Sequence, residues 1–351
     1  MNNATSTDKL KQLWFLTRPY VFALGLAFLF TGIMLGLLGF NVWEAFKALI
    51  TTSFSSKFQI VETFKKFTPL VLTTFAFAIP FQIKFFNIGS TGQMIMGGTI
   101  ATMLGLGMSS IRMPSALAII LILTAAALTG ALYALIAGAL KAYHNINPII
   151  STIMLNFVAM QFTNFVATTP PWQAPLTGHP MSKELPKWML LPRLFSELHI
   201  GFLIALGMVA FVYFIMKKTV IGYEIESVGH NQRAAEIHGI NIKKTTLVTF
   251  FLGGLLAGLA GGIEVLGVHG RLVEGFAVTS GAEYGTFGTL TALISGAEPL
   301  AVPAVAFLMS ILLNGADSLQ RRLMVPVELV FLTQALIVIL VVTMRERFRK
   351  R

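Results

Sequence analysis

The 351-residue chain contains no cysteine, so disulfides, thiolate metal ligands and thiol nucleophiles are all excluded. Charge is scarce as well: 12% of residues are Asp, Glu, Lys or Arg, about half the share of an ordinary soluble domain. Acid is the scarcer sign, with 15 Asp and Glu against 26 Lys and Arg and a net charge of +11. No Gly-x-x-x-x-Gly-Lys-Ser/Thr occurs, so the chain has no phosphate-binding loop of its own. Its six histidines lack His-Glu-x-x-His or comparable spacing, and His230 and His238 have no clustered carboxylates beside them. An intramembrane enzyme is disfavoured, and neither a catalytic residue nor a metal site is expected.

Apolar surface is what the chain has in excess. At 55% hydrophobic it cannot be a soluble globule, and lipid is the solvent that its composition suits. Ten apolar runs are candidate spans: 21–40, 67–86, 94–108, 115–140, 149–167, 200–216, 247–266, 284–294, 300–316 and 327–343. Two of them are short. The polar residues 1–19 lead into the first run, which is longer than the roughly 7–15 apolar residues of a secretory signal, so it reads as a retained anchor. The expected class is an all-α polytopic membrane protein in a single domain over 1–351.

A ten-span arrangement with both termini inside assigns 15 of the 26 Lys and Arg to inside segments, although the outside loops are longer. That density bias follows the positive-inside rule. The surplus charge therefore reads as membrane orientation and an inner surface that a partner can use. No nucleic-acid partner is expected.

Four segments are more than connectors. Residues 41–68 mix Trp43, Phe46, Phe54, Phe58 and Phe64 with Glu44, Lys47, Lys57, Glu62, Lys65 and Lys66, a pattern for an element at the lipid interface. Residues 168–199 hold Pro170, Pro171, Pro175, Pro180, Pro186 and Pro192 with Trp172 and Trp188, which prevents a continuous helix. That loop reads as an external connector or as a docking surface. In the inside loop 217–244, Asn231 is placed to cap a short helix through Arg233, Ala234, Ala235 and Glu236, and Gly239 to close it. Residues 344–351 form a basic inner tail.

Polar residues also interrupt the apolar runs. Phe86-Asn87-Ile88-Gly89-Ser90-Thr91-Gly92-Gln93 is either a tight turn or unwound backbone lining a pathway. Gly253, Gly254, Gly258, Gly261 and Gly262 permit close helix packing, and a second Gly-rich passage enters Tyr284-Gly285-Thr286-Phe287-Gly288. The two breaks fall in corresponding places of the two halves, which points to an internal repeat. Glu264 is ionisable near the outer end of its span, so it is either a pathway group or one that reaches water. Asn156 and Gln161 have similar status. Phe86, Tyr284 and Phe287 offer rings to a heteroaromatic cargo, and Asn87, Gln93 and Asn156 offer hydrogen bonds.

Taken together, Phe86-Asn87-Ile88-Gly89-x-x-Gly92-Gln93, Ile150-Ser151-Thr152-Ile153-Met154-Leu155-Asn156, Val228-Gly229-x-Asn231-x-x-Ala234-Ala235-x-x-x-Gly239-Ile240-Asn241 and Leu256-Ala257-Gly258-Leu259-Ala260-Gly261 through Glu264 resemble the permease subunits of bacterial ABC importers. The resemblance is to the branched-chain amino acid and simple-sugar permease family, and within it to nucleoside-type members. It implies a type II importer fold with broken helices near the midplane, in the bacterial plasma membrane. Gly229, Asn231, Arg233, Ala234, Ala235 and Gly239 would then form the coupling helix seated in a partner ATPase. The implied partners are that ATPase, with two ATPase domains in one chain, a second homologous permease and a substrate-binding lipoprotein. ATP and magnesium would be handled by the ATPase, with no cofactor on this chain. Thr91, Pro148 and Gly285-Thr286-Phe287-Gly288 depart from the nucleoside-type pattern, which has carboxylates at these places, and riboflavin fits equally well as cargo. Ion-coupled secondary transport is the rival class.

Overall fold

The computed structural model describes residues 22–23, 25–111, 113–175, 181–273, 276 and 282–349. The tail 1–19, Arg112, Pro180, Glu274 and the last two residues of the basic tail lie outside the described residues. The chain is an all-α polytopic membrane protein. Its helices are α1 (Gly25–Leu37), α2 (Val42–Thr51), α3 (Lys57–Gln82), α4 (Ser90–Gly107), α5 (Ser115–His144), α6 (Pro148–Thr168), α7 (Gly201–Lys218), α8 (Val220–His230), α9 (Gln232–Ile237), α10 (Ile242–Glu264), α11 (Ala282–Ser295), α12 (Ala301–Leu323) and α13 (Val327–Arg349). Each of the ten apolar runs falls on one of them. Among the described residues five helices, namely α5, α6, α7, α12 and α10 with the π turn Val265–His269, are long and apolar enough to cross a bilayer by themselves.

Local chemistry sets the boundaries. After α5, Asn145 takes a left-handed conformation at φ 53° and the Ile146 N–H returns to the Leu140 carbonyl, a helix stop that satisfies the last carbonyls. The next helix starts two residues later, with the Asn147 side chain accepting the Ile149 N–H and Pro148 at the first helical position, where no N–H is needed. Pro69 and Pro80 lie inside α3. Pro80 leaves the Ala76 carbonyl without its helical N–H, and the Asn87 side-chain amide donates to that carbonyl at 3.2 Å, the kind of side-chain repair that lets proline persist within a membrane helix.

Two boundaries differ from the sequence expectation. The interfacial stretch 41–68 divides: Asn41 caps the short α2, and α3 begins at Lys57, ten residues ahead of its apolar run. Lys65 and Glu62 pair at 2.7 Å on the first turns of α3, so its charges satisfy one another along one helix face. The inside loop 217–244 holds two helices where one was expected, because Thr219 accepts the Gly222 N–H and starts α8 ahead of α9.

Contacts group the chain into two units, residues 1–59 with 311–351, and residues 60–310. In the first, Leu35, Ala45, Leu49, Ala316 and Leu319 form the core, and Thr31 donates to Thr333 at 2.9 Å. In the second, α10 is the centre and packs on α4 and α5. A methyl group on Gly258 would stand 2.9 Å from the Gly130 Cα of α5, and one on Gly97 of α4 would stand 2.6 Å from the Gly258 Cα. Backbone therefore meets backbone, the packing that small residues permit in membranes.

A hairpin of β1 (Arg193–Phe195) and β2 (Leu198–His199) ends the Pro-rich loop. Ahead of it, residues 182–191 lie as a strap along the chain that follows α10. Ser182, Leu185 and Leu191 donate their N–H groups to the carbonyls of Leu272, Gly270 and Leu266.

Candidate functional site

The break between α3 and α4 is a turn held by side-chain amides. Asn87 is fully buried. Its Oδ1 accepts from the Gly89 N–H at 3.2 Å and from Gln93 Nε2 at 2.9 Å, while its Nδ2 donates to the Ala76 carbonyl and to Gln93 Oε1, each at 3.2 Å. On α6, Asn156 Oδ1 accepts the Gly92 N–H at 2.8 Å and Asn156 Nδ2 donates to the Ile88 carbonyl at 3.0 Å. Three of the residues singled out from sequence thus converge on one helix start. Here they satisfy N–H groups that the first turn of any helix leaves open. Glycine is required at 92, because a methyl there would stand 2.7 Å from Asn156 Oδ1.

The second passage joins the first. Tyr284 and Phe287 are buried on α11. The Thr73 hydroxyl of α3 donates to the Tyr284 carbonyl at 2.8 Å, and the Ser90 hydroxyl of α4 to the Gly285 carbonyl at 3.3 Å. Methyl groups on Gly285 and Gly288 would stand 2.6 Å from the Thr91 Cα and 2.8 Å from the Thr73 carbonyl carbon. The first turns of α4 and α11 are therefore locked together through α3. Thr91 stands out from sequence only as a departure from the nucleoside-type pattern, and Thr73 and Ser90 were not singled out; the signal for them was hydroxyls within otherwise apolar runs.

Phe86 stands in a different group, edge-on to Phe77 at 5.9 Å and Phe81 at 5.2 Å, and is 37% exposed. Glu264 lies near the strap. It does not reach water: it is 3% exposed and faces His269 Nε2 at 3.5 Å, the pairing that a carboxylate needs when it is removed from solvent.

The candidate coupling residues form one device. The Asn231 side chain accepts the Ala234 N–H at 3.1 Å to start α9, and Gly239 ends it with φ 84°. Asn241 then caps α10 by accepting the Lys244 N–H at 3.0 Å. Arg233 and Ala234 are exposed, as is Ile237, whereas Ala235 is buried. Gly229 of α8 lies against the Gln82 carbonyl oxygen, where no side chain fits. Gln82 ends α3, so this contact touches the break that Asn87 holds.

The family described as branched-chain amino acid transport system permease component matches residues 59–342. The chain is 32% identical to a guanosine ABC transporter permease of Bacillus subtilis, covering 86% of each chain. It is 29% identical to a nucleoside ABC transporter permease of Lactococcus lactis, over 90% of this chain and 88% of the relative. A glucose ABC transporter permease of Haloferax volcanii is also 29% identical, over 89% of this chain and 83% of the relative. No solved structure gives a significant match.

Proposed function

The chain belongs to the branched-chain amino acid transport system permease family, and from that premise we propose that it is the translocation subunit of an ATP-driven importer for a nucleoside or a related heteroaromatic. The observation that carries the cargo class is the similarity to the guanosine permease over 86% of the chain. On this reading the termini and α9 face the cytoplasm of a bacterial inner membrane, and the strap faces outward. A separate ATPase, double-domain by the resemblance, seats α9 and hydrolyses ATP with magnesium. A second, homologous permease completes the pathway, and a lipoprotein delivers cargo.

Motion at α9 has two routes inward. One runs through Gly229 to the Gln82 end of α3 and the amide-held turn. The other runs along α10, which begins immediately after Gly239-Ile240-Asn241 and lies backbone to backbone against α4. Because the starts of α4 and α11 are bonded through Thr73 and Ser90, both break together. Phe86 offers its exposed ring to a flat cargo, with Tyr284, Phe287, Asn87, Gln93, Asn156 and Glu264 as pathway groups once the turn opens. Such closure around a fixed site, driven by rigid-body movement, is alternating access.

The test is uptake of radiolabelled guanosine, riboflavin and glucose by proteoliposomes holding the permease with its partner subunits. Guanosine uptake that needs ATP and survives ionophores is expected. Uptake that ionophores abolish and ATP depletion spares would overturn the ATP-driven reading in favour of ion coupling. Glucose uptake alone would move the cargo to the sugar class, which the Haloferax relative makes the specific rival.

A further inference from the structure

His199 at the end of β2 is 1% exposed, and among the described residues neither of its ring nitrogens has a hydrogen-bond partner. A neutral imidazole carries one donor and one acceptor, and burying both unmet is an arrangement that native structures avoid. Packing fixes the ring in place. A methyl group on Gly267, in the π turn after α10, would stand 2.8 Å from the ring, and one on Gly201, at the start of α7, would stand 2.6 Å from Nδ1. The ring is a wedge between two helix ends, and the next residue, Ile200, donates its N–H to the carbonyl of Pro192 just past the strap.

The charges around it come from four elements. Glu264 of α10, 3% exposed, acts on the ring electrostatically and faces His269 of the π turn at 3.5 Å. Lys65 of α3 adds a cation, itself tied to Glu62 at 2.7 Å. On the hairpin, Arg193 and Glu197 pair with each other at 2.6 Å and are exposed.

We propose that His199 is a proton-binding site that locks the strap end of the helix bundle when neutral and releases it when protonated. Among the described residues an imidazolium wedged here has no hydrogen-bond acceptor, and Glu264, the carboxylate that favours it, already faces His269. Burial pushes the imidazole below the ordinary histidine value, Glu264 opposes that shift and Lys65 adds to it. The packed arrangement therefore holds the neutral ring, and any state that wets the ring binds the proton more tightly. The lock is complete at pH above the ordinary histidine value of about 6.5 and weakens as pH falls through it. The strap is the segment that this lock holds: backbone hydrogen bonds, the Ser182 hydroxyl accepting the Leu272 N–H at 2.9 Å and the Arg271–Glu184 pair at 3.2 Å tie it to the chain after α10, and Leu185, Met189 and Leu191 are its buried side chains.

The absence of cysteine makes the test direct, since a single introduced thiol reports alone. Leu191, the last residue of the strap, is 5% exposed, and Phe195 is 61% exposed on β1. In the full-length protein in detergent, L191C and F195C are labelled with a maleimide at about pH 7.5 and about pH 5.5, and the ratio of the two rates removes most of the intrinsic pH dependence of the thiol. The ratio is expected to rise roughly fivefold or more at the lower pH and to stay flat when His199→Gln is added. A ratio that ignores pH, or an equal rise in the His199→Gln background, overturns the proposal. Should His199→Gln fail to assemble, Glu264→Gln gives a second arm: without the carboxylate that eases the buried imidazolium, the low-pH rise in the ratio should be larger, and an unchanged or smaller rise also overturns it. Neither cargo nor ATPase is needed, so failure here leaves the transport reading untouched.

Discussion

Gly229 of α8 touches the carbonyl oxygen of Gln82, the last residue of α3, at a place where even a methyl group does not fit. This one contact joins the helix pair that ends in α9 to the turn that Asn87 holds, so the coupling surface and the pathway are two contacts apart.

Replacing Gly229 with Val forces α8 and α3 apart, an overpacking that costs roughly 1–3 kcal/mol. The chain should still reach the membrane, because none of its apolar runs changes. Uptake should fall by about tenfold or more, as expected when a contact that must transmit small displacements is misplaced. Immunoblots of membrane fractions alongside uptake assays check this, and normal uptake by Gly229→Val would remove the contact from the transmission route.

Ala234 and Ala235 are neighbours with opposite surroundings, the first exposed and the second buried. Ala234→Glu should leave the fold intact and abolish stimulation of the partner ATPase by cargo, since only a docked surface meets the new charge. Ala235→Glu buries an unpaired carboxylate and should instead lower the yield of folded chain. Thermal unfolding in detergent and ATPase stimulation separate the two outcomes. If both variants unfold alike, α9 has no free face for a partner.

Asn87→Leu removes both partners of Gln93 and the acceptor of the Gly89 N–H. Each buried group left unmet costs about 1–3 kcal/mol. The thermal midpoint should drop by several degrees, with uptake lost even from the chain that remains folded. Gln93→Leu should produce a drop of similar size, and the double variant a drop well short of the sum, because the two side chains satisfy each other. Additive losses would mean that the pair does not act as a unit.

The sequence made much of this legible, and unevenly. Helix positions followed from apolar runs, and the start and end of α9 followed from Asn231 and Gly239, because capping is local chemistry written within a few residues. The convergence of Asn87, Gln93 and Asn156 was suggested only as a set of polar groups at depth. Their pairing depends on α6 lying against α4, which no local pattern encodes. α8 was missed because Thr219 opens a helix in a stretch whose Lys, Glu and Gly read as a solvated loop. Glu264 was left between pathway and water, since its burial is decided by His269 and a strap some 70 to 80 residues earlier in the chain. His199 gave no signal at all: a lone histidine after a proline-rich loop reads as surface.

Gly258 meets Gly130 of α5 and Gly97 of α4 at once, whereas Gly207 of α7 has open space where a side chain would stand. The same substitution should therefore act in opposite directions at these two sites. Alanine at 207 replaces a poor helix former with the best one and fills empty space, and should stabilise by about 0.5–1 kcal/mol. At 258 the propensity gain is the same, but the methyl would stand 2.9 Å from both the N and the Cα of Gly130, and separating three helices costs roughly 1–3 kcal/mol. Thermal unfolding in detergent should move up for Gly207→Ala and down for Gly258→Ala. If the two midpoints rise together, α10 is not packed backbone to backbone, and the second route from α9 into the bundle loses its physical basis.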